Sequence, residues 1–358
     1  MNKKKLFLEA ENFYYRLRYG KEVNIDDYRF GDSRFSGKRL NVIFLSYSCS
    51  TFGMYNRVEP LREMGEVYWF LMTQDPEIKD WYAIKERRNS EMYDFVSKTI
   101  SEHEIDVIVC YLSGRSTDPK TLEKIRAFGI PMINEGLDDE RKFRSRRGED
   151  GVYRGNKSIC KYFDLSLTSS KSAIVKYLVE GGRPMYKDYA GNEKKYKNLP
   201  LDKTYDVAFV GSDYGVRRKY IQHLRENGID VYTKGNGWEE GFADSDEMVE
   251  IFNRAKIVLG FSTVGKNDDI FILKGRDFEV PLTGSFYLTG FHDELFEYFD
   301  IGRDIEVYRS KEELLDKVRY YLENEDQREE IAVHGYNKSV SKYTAVKAYE
   351  RVFGYLNL

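Results

Sequence analysis

The sequence is poor in the two residue types that build disulfide and metal cross-links. Its 358 residues include three cysteines and four histidines. Cys49, Cys110 and Cys160 lie far apart, without a CxxC spacing and without a histidine nearby. The histidines occur singly, so no pair has the spacing of a zinc site. This scarcity excludes a disulfide-stapled secreted scaffold and a cysteine–histidine metal domain, and it predicts reduced thiols in a cytosolic protein.

Long apolar runs are also missing. No segment approaches the roughly 20 apolar residues that a membrane-spanning helix needs, and the N-terminus lacks the apolar core of a secretory signal. We therefore predict a cytoplasmic protein. Near the N-terminus, Lys3 to Lys5 precede Leu6-Phe7-Leu8. This segment predicts either an arm that packs on the first domain or a helix that contacts the inner face of a membrane peripherally; the packing arm is the simpler interpretation.

Charge is distributed unevenly. The formal net charge is −3, yet the first half of the chain is basic and the second half acidic. The basic bias peaks at residues 141–147. This segment is interpreted either as a surface for an anionic acceptor (a lipid diphosphate, a phosphate-bearing polymer, a membrane or a nucleic acid) or as a solvated loop. The overall acidity makes nucleic acid the less favoured partner.

The alternation of strand-like and helix-like segments predicts an α/β fold with two Rossmann-like parallel-sheet domains in tandem. The first covers residues 1–190 and includes a polar, aromatic N-terminal arm. Residues 191–204 have no apolar period and are rich in Lys, Asn and Pro, so we predict a linker there. The second domain covers residues 205–343. Residues 344–358 predict a final helix that returns to the first domain.

The start of the second domain has the pattern of a phosphate site. An apolar strand at Val207–Val210 is followed by a Gly-Ser turn and an amphipathic helix. Amides exposed at such a turn, together with the helix dipole, favour a bound diphosphate. Arginines in the first helical turn are electrostatically unfavourable unless an anion is present. The predicted donor-binding residues of this turn are Gly211, Ser212, Tyr214, Arg217 and Arg218.

A second block, Lys274-Gly-Arg276-Asp-Phe-Glu279-Val-Pro, lies farther along the chain. With the Gly-Ser turn it resembles the C-terminal lobe of the CgeB-like glycosyltransferases, closely over residues 205–343 and loosely before them. The resemblance implies a GT-B fold, in which two Rossmann-like lobes face each other across a cleft, and a nucleotide-diphosphate sugar as co-substrate. It also implies that Lys274 and Arg276 neutralise the diphosphate and that Glu279 accepts hydrogen bonds from the ribose. General chemistry agrees, because guanidinium and ammonium groups suit phosphates.

Two further loops complete the predicted donor site. Trp238, beside Gly237, is predicted to cover the base, and Phe261 with Ser262 to line the pocket. The loop that contains Phe261 partly matches the P-loop motif, but Asn267 replaces the Ser or Thr that would bind magnesium.

A metal-binding Asp-x-Asp motif is matched by Asp244-Ser-Asp246. We interpret it as a helix N-cap followed by first-turn acids. The sequence therefore predicts neither a metal ion nor a cofactor beyond the nucleotide sugar.

Catalysis by inversion needs a base for the acceptor hydroxyl. Asp138 and Asp139 follow a predicted strand at the position where open α/β sheets bind ligands. Asp138 as a helix cap and Glu135 as the base are the alternatives. Phe271 occupies the position where related retaining enzymes carry an acid, so the stereochemical outcome stays open. Acceptor-binding candidates in the loops after the first and third strands are Ser48, Thr51 and Arg115.

These observations favour a glycosyltransferase that acts on a glycan, a lipid-linked acceptor or a protein, in polysaccharide biosynthesis. The alternatives are a catalytically inactive nucleotide- or sugar-binding module and a DNA-modifying glycosyltransferase.

Overall fold

The computed structural model describes residues 3–31, 33–48, 54–73, 82–264 and 267–358. They form two compact α/β units. The first contains residues 1–188 and 348–358, and the second contains residues 189–347. The segment predicted as a linker, 191–204, therefore groups with the second unit. Its Tyr196 is buried against Val249 and Leu282, which explains why these polar residues do not stand apart.

The first unit is built on a six-stranded parallel sheet in the order β2-β1-β3-β4-β5-β6. Its strands are β1 (Leu40–Ser48), β2 (Gly65–Thr73), β3 (Val107–Tyr111), β4 (Met132–Glu135), β5 (Leu165–Thr168) and β6 (Pro184–Tyr186). Its helices before the second unit are α1 (Lys3–Tyr19), α2 (Glu59–Met64), α3 (Tyr82–Glu102), α4 (Pro119–Arg126), α5 (Asp139–Lys142) and α6 (Lys171–Val179). Apolar residues of β1 and β3 pack against α3 and α4 to form its core.

Helix α1 packs on the first unit, as the simpler interpretation of the N-terminal arm predicted. Tyr15 is buried beside Phe143, with ring centroids 6.0 Å apart, and Glu11 pairs with Lys176 at 3.0 Å. The outer face of α1 exposes large apolar side chains: Leu6, Phe7, Phe13, Tyr14 and Leu17. Among the residues that the structure describes, no helix combines the length and apolarity needed to cross a bilayer.

The second unit has a five-stranded parallel sheet in the order β13-β12-β9-β7-β8 and a separate antiparallel pair, β10-β11. Its strands are β7 (Tyr205–Val210), β8 (Val231–Lys234), β9 (Ala255–Leu259), β10 (Thr263–Val264), β11 (Asn267–Phe271), β12 (Tyr287–Gly290) and β13 (Glu306–Tyr308). Its helices are α7 (Arg217–Glu226), α8 (Ser245–Arg254), α9 (Arg276–Leu282), α10 (Lys311–Glu323) and α11 (Glu325–Lys342). The last helix, α12 (Ala345–Tyr355), begins in this unit and continues into the first.

The two sheets share one strand order. Numbered along the chain within each parallel sheet, the strands run 2-1-3-4-5-6 in the first and 2-1-3-4-5 in the second, so in both the order reverses between the first and third strands. Open α/β sheets bind ligands at this topological switch point, beyond the carboxyl ends of the strands. In the first unit the switch point lies between β1 and β3, and in the second between β7 and β9. The predicted α/β class with parallel sheets is thus confirmed, whereas the β10-β11 pair was not predicted.

Candidate functional site

The loops after β7 and β8 pack so closely that glycine is required. Gly235 has a φ of +131°, and a Cβ atom there would lie 2.4 Å from the carbonyl oxygen of Gly211. Trp238 is buried and donates its ring N–H to that same oxygen at 2.8 Å. Arg218 donates to Asp213 at 2.6 Å and to the carbonyl of Gly237 at 2.8 Å. Trp238 thus packs beneath the loop that follows β7. Arg218 links the loops after β7 and β8 through its hydrogen bonds to Asp213 and Gly237.

Arg217, at the start of α7, is buried at the end of β7. Its Nη1 donates to the Ser212 carbonyl at 2.8 Å, and its guanidinium lies 3.9 Å from the ring centroid of Tyr214. Its buried Nε has no hydrogen-bond partner among the described residues. Burial lowers the pKa of Arg217, and the nearby charge of Arg276 lowers it further. An anion would relieve both effects.

Arg276 and Glu279 form an ion pair at the same strand end. The Arg276 guanidinium donates to the Val210 carbonyl at 3.0 Å through Nη2 and to Glu279 Oε2 at 2.8 Å through Nη1. Glu279 is 1% exposed. Its Oε1 is buried and accepts no hydrogen bond from any group in the described ranges. The pair therefore presents a cation and an unused carboxylate oxygen at the switch point.

Asp277, which was not predicted from the sequence, supports the loop before α9. It is 1% exposed, accepts from the backbone N–H of Lys274 at 2.7 Å and accepts from the hydroxyl of Tyr287 at 2.8 Å. Burial raises its pKa to about 6. The signal available in the sequence was an acidic residue in the first turn of a helix whose following residues are mostly apolar.

A cavity of about 550 Å³ adjoins the carboxyl ends of β9, β12 and β13. Its walls are largely aromatic: Tyr220, Phe261, Phe271, Phe291 and Tyr308. Ser262 also lines it, with its hydroxyl donating to the Gly290 carbonyl at 2.6 Å. The cavity suits a flat ring system such as a nucleobase.

Asp244 is a helix N-cap, as predicted. Its Oδ1 accepts from the backbone N–H groups of Asp246 and Glu247, both at 2.9 Å. Within the described ranges, no group of three or more His, Cys, Asp or Glu side chains is arranged to hold a metal ion.

In the first unit, a cavity of about 430 Å³ lies at the carboxyl ends of β1, β3 and β4. Asp139 lines it and is 2% exposed. Its Oδ1 accepts from Asn156 and its Oδ2 from the Tyr177 hydroxyl, both at 2.9 Å. Burial raises the pKa of Asp139. A carboxylate with this environment holds a proton more readily than an exposed one.

Asp138 precedes Asp139 and differs from it in environment. Its φ of +55° is left-handed, a strained conformation for a residue with a side chain. Its carboxylate pairs with Lys142 at 2.6 Å and is 32% exposed. It occupies the N-cap position of α5 but its side chain makes no capping hydrogen bond. Asp138 thus stands at the helix N-cap position that the alternative predicted, but its carboxylate does not cap the helix.

Glu135 is part of a buried charged cluster that the sequence did not reveal. Its carboxylate accepts from Arg57 at 3.0 Å, from Lys187 at 2.9 Å and from the Tyr349 hydroxyl at 2.6 Å. Burial alone would raise the pKa of Glu135, but Lys187 and Arg57 lower it to about 2. Such a weakly basic carboxylate is a poor general base.

Of the acceptor-binding candidates, Arg115 lines the cavity of the first unit. Ser48 ends β1, but its side chain and Thr51 lie outside the described residues. Ser145, in the basic segment, is a second residue with a left-handed φ, of +52°. The basic segment contributes Lys142 and Arg146 to the cavity wall.

Comparison with known proteins agrees with the two-unit architecture. Residues 217–353 match a family model described as glycosyl transferase-like. HepE (Alr3699) of Anabaena in complex with UDP superposes with a TM-score of 0.58 and 12% identity, over 89% of this chain and 100% of that one. A glycosyltransferase of Rickettsia africae superposes with a TM-score of 0.62 and 8% identity, over 89% and 98% of the two chains.

A third similar structure is sucrose-phosphate synthase of Thermosynechococcus elongatus, with a TM-score of 0.57 and 11% identity over 89% and 99% of the chains. No curated protein sequence matches the chain. At these identities the likeness concerns the fold, and it confirms the predicted GT-B fold. The narrower CgeB-like resemblance stays a prediction.

Proposed function

We propose that this chain is a glycosyltransferase that moves a sugar from a nucleoside-diphosphate sugar to an acceptor hydroxyl without a bound metal ion. The observation that carries the proposal is the cluster of Arg217, Arg276 and Glu279 at the switch point of the second sheet. Two of its buried polar atoms, Arg217 Nε and Glu279 Oε1, have no hydrogen-bond partner in the described part of the chain, although buried polar groups normally have one. The matched family model and a fold neighbour solved with UDP-glucose support the same ligand class.

In this proposal, Arg217, Arg276 and Lys274 bind the diphosphate, and Glu279 accepts hydrogen bonds from the ribose hydroxyls. The aromatic cavity beside Phe261 takes the base. As the bond between the sugar carbon and the diphosphate oxygen breaks, negative charge grows on the leaving group, and the guanidinium groups stabilise it. The acceptor oxygen forms the new bond to that carbon and gives its proton to a base. The products are the glycosylated acceptor and a nucleoside diphosphate.

We assign the role of base to Asp139, with Asp138 as the alternative. Asp139 lines the cavity of the first unit, and its raised pKa suits proton uptake. Replacing a general base should reduce transfer by about 10²- to 10⁴-fold. We expect this loss for Asp139→Asn, measured per folded molecule, and a much smaller one for Asp138→Asn. The reverse ranking would assign the base to Asp138.

The proposal is tested by binding of UDP in the presence of EDTA. At one hundred times the dissociation constant, UDP should stabilise the protein by about 2.7 kcal/mol. Glu279→Gln should reduce this shift, and Asp244→Ala, which removes only a helix cap, should retain it. A shift that requires manganese and disappears in Asp244→Ala would contradict the proposal. Binding without transfer from any of a panel of nucleotide sugars would instead indicate a nucleotide-binding module.

A further inference from the structure

We infer that the cavity of the first unit binds a phosphate group carried by the acceptor, beside the hydroxyl that receives the sugar. The acceptor class would then be a sugar phosphate, a polyol phosphate or a lipid-linked phosphate. This inference rests on the proposed function, because it names the acceptor of the same reaction.

The first observation is the charge of the cavity wall. The cavity is lined by four cationic side chains and by two acidic side chains, Glu135 and Asp139. The cations are Arg115, Lys142, Arg146 and Arg154. Glu135 already forms ion pairs with Arg57 and Lys187, which do not line the cavity. It therefore neutralises little of the charge of the four lining cations. Lys142 is paired with Asp138, so the positive charge of the wall comes from its arginines, which suit an anionic phosphate group.

The second observation is that the backbone holds two of these arginines together. Gly114 N–H donates to the Gly155 carbonyl at 2.9 Å, and Arg115 N–H donates to the Arg154 carbonyl at 3.1 Å. A Cβ atom at Gly114 would lie 1.9 Å from the carbonyl oxygen of Tyr153, so only glycine permits this approach. Lys85 reinforces the loop by donating to the Gly114 carbonyl at 3.0 Å. Because both arginines also line the cavity, an anion bound there would lie near cationic side chains from two separate loops.

The third observation is a contrast between the cavity arginines and neighbouring cations. Each of several nearby cations has a carboxylate partner: Arg57 with Glu135, Lys85 with Asp150, Lys142 with Asp138 and Lys157 with Glu180. Arg115 and Arg146 form no ion pair with any carboxylate that the structure describes. Guanidinium groups bind phosphate oxygens in a forked geometry. The volume of about 430 Å³, with Tyr47 and Tyr111 as walls, leaves room for the sugar or polyol that bears the phosphate.

The test is equilibrium binding of glycerol 3-phosphate and of glycerol to the full chain, with UDP present at saturation. We expect binding of glycerol 3-phosphate and none of glycerol. Arg115→Ala and Arg146→Ala should each weaken this binding by about tenfold or more, the effect of losing one hydrogen bond to a charged group. Arg141→Ala is the matched control, because Arg141 is exposed on the same segment and does not line the cavity; its affinity should equal that of the wild type.

Equal binding of both compounds, or an equal loss in Arg141→Ala, would overturn the inference. Arg115 and Arg146 are both exposed, so neither substitution should prevent folding, and each variant checks the other. UDP binding to the same variants separates the two claims. If UDP does not bind the wild type but glycerol 3-phosphate does, the proposed function is contradicted while the phosphate site stands.

Phosphatidylcholine vesicles with and without phosphatidylglycerol distinguish the phosphate sources. Vesicle binding that glycerol 3-phosphate displaces would indicate a lipid-borne phosphate in the cavity. Vesicle binding that survives both arginine substitutions, without binding of glycerol 3-phosphate, would assign these residues to a membrane surface and overturn the cavity site.

Discussion

Each unit holds a buried glutamate beside an arginine at the carboxyl edge of its sheet, but the two carboxylates have different surroundings. Glu135 in the first unit accepts bonds from Arg57, Lys187 and Tyr349, which occupy both of its oxygens. Glu279 in the second unit pairs through Oε2 alone, and its Oε1 has no partner in the described ranges. Both carboxylate oxygens of Glu135 thus have hydrogen-bond donors without a ligand, whereas only one oxygen of Glu279 has a donor in the described ranges.

This difference separates a structural charge from a binding charge. A buried ion pair contributes little net stability, but removing one partner leaves an uncompensated charge and costs much. Glu135 should therefore matter mainly for the fold of the first unit. Glu279 should matter mainly for a ligand, because half of its hydrogen-bonding capacity is unused.

The largest expected effect is on stability. Glu135→Gln leaves Arg57 and Lys187 buried without their carboxylate, so the free energy of unfolding should fall by about 3 to 5 kcal/mol. Glu279→Gln should cost about 1 kcal/mol, since Arg276 keeps its bond to the Val210 carbonyl. Urea denaturation of both variants measures the difference. Equal losses would mean that the two glutamates have the same role.

The next effect is on turnover. Arg276→Ala removes a positive charge from a leaving group whose negative charge grows in the transition state, so kcat should fall by the equivalent of roughly 2.7 to 4 kcal/mol. Glu279→Gln removes a ribose contact made before and during transfer, and should mainly raise the KM for the donor. Arg254→Ala, which breaks only a pair with Glu250, is the control. Small and equal effects at Arg276 and Glu279 would place the donor elsewhere.

The third expected effect is an opposite pH dependence of two buried acids. Asp277 has a pKa of about 6 in the folded protein against an ordinary 3.8, so its contribution is fully present below pH 3.8. That contribution should decrease by about 3 kcal/mol as the pH rises through 6. Glu135, with a pKa of about 2 against 4.5, contributes fully above pH 4.5 and loses its contribution as the pH falls toward 2.

Unfolding free energies of Asp277→Asn and Glu135→Gln, compared with the wild type at each pH, measure these two dependences. As the pH rises from 4 to 7, the free energy of unfolding of Asp277→Asn should increase relative to that of the wild type. As the pH rises from 2 to 5, that of Glu135→Gln should decrease relative to the wild type. Differences that stay constant with pH would contradict the assignment.

The same contrast explains which parts of the site could be predicted from the sequence. Arg276 and Glu279 lie three residues apart at the start of α9, so a local spacing brought them together. Arg57, Glu135, Lys187 and Tyr349 come from four distant segments, and no local pattern connects them. Trp238 was predicted to cover the base, but its position beneath the loop depends on the left-handed turns at Gly235 and Gly237, whose direction the sequence does not specify.

The hydrogen bond from Tyr349 to Glu135 joins positions 214 residues apart. The second unit is thus inserted within the first, whose remaining residues, 348–358, follow it. During synthesis on the ribosome, residues 189–347 emerge as one continuous stretch and can fold as a unit. The first unit emerges earlier but must wait for Tyr349, and meanwhile its Glu135 cluster lacks one donor. Loss of residues 348–358 by stalled synthesis or proteolysis would therefore destabilise the first unit, although that unit is synthesised before the second.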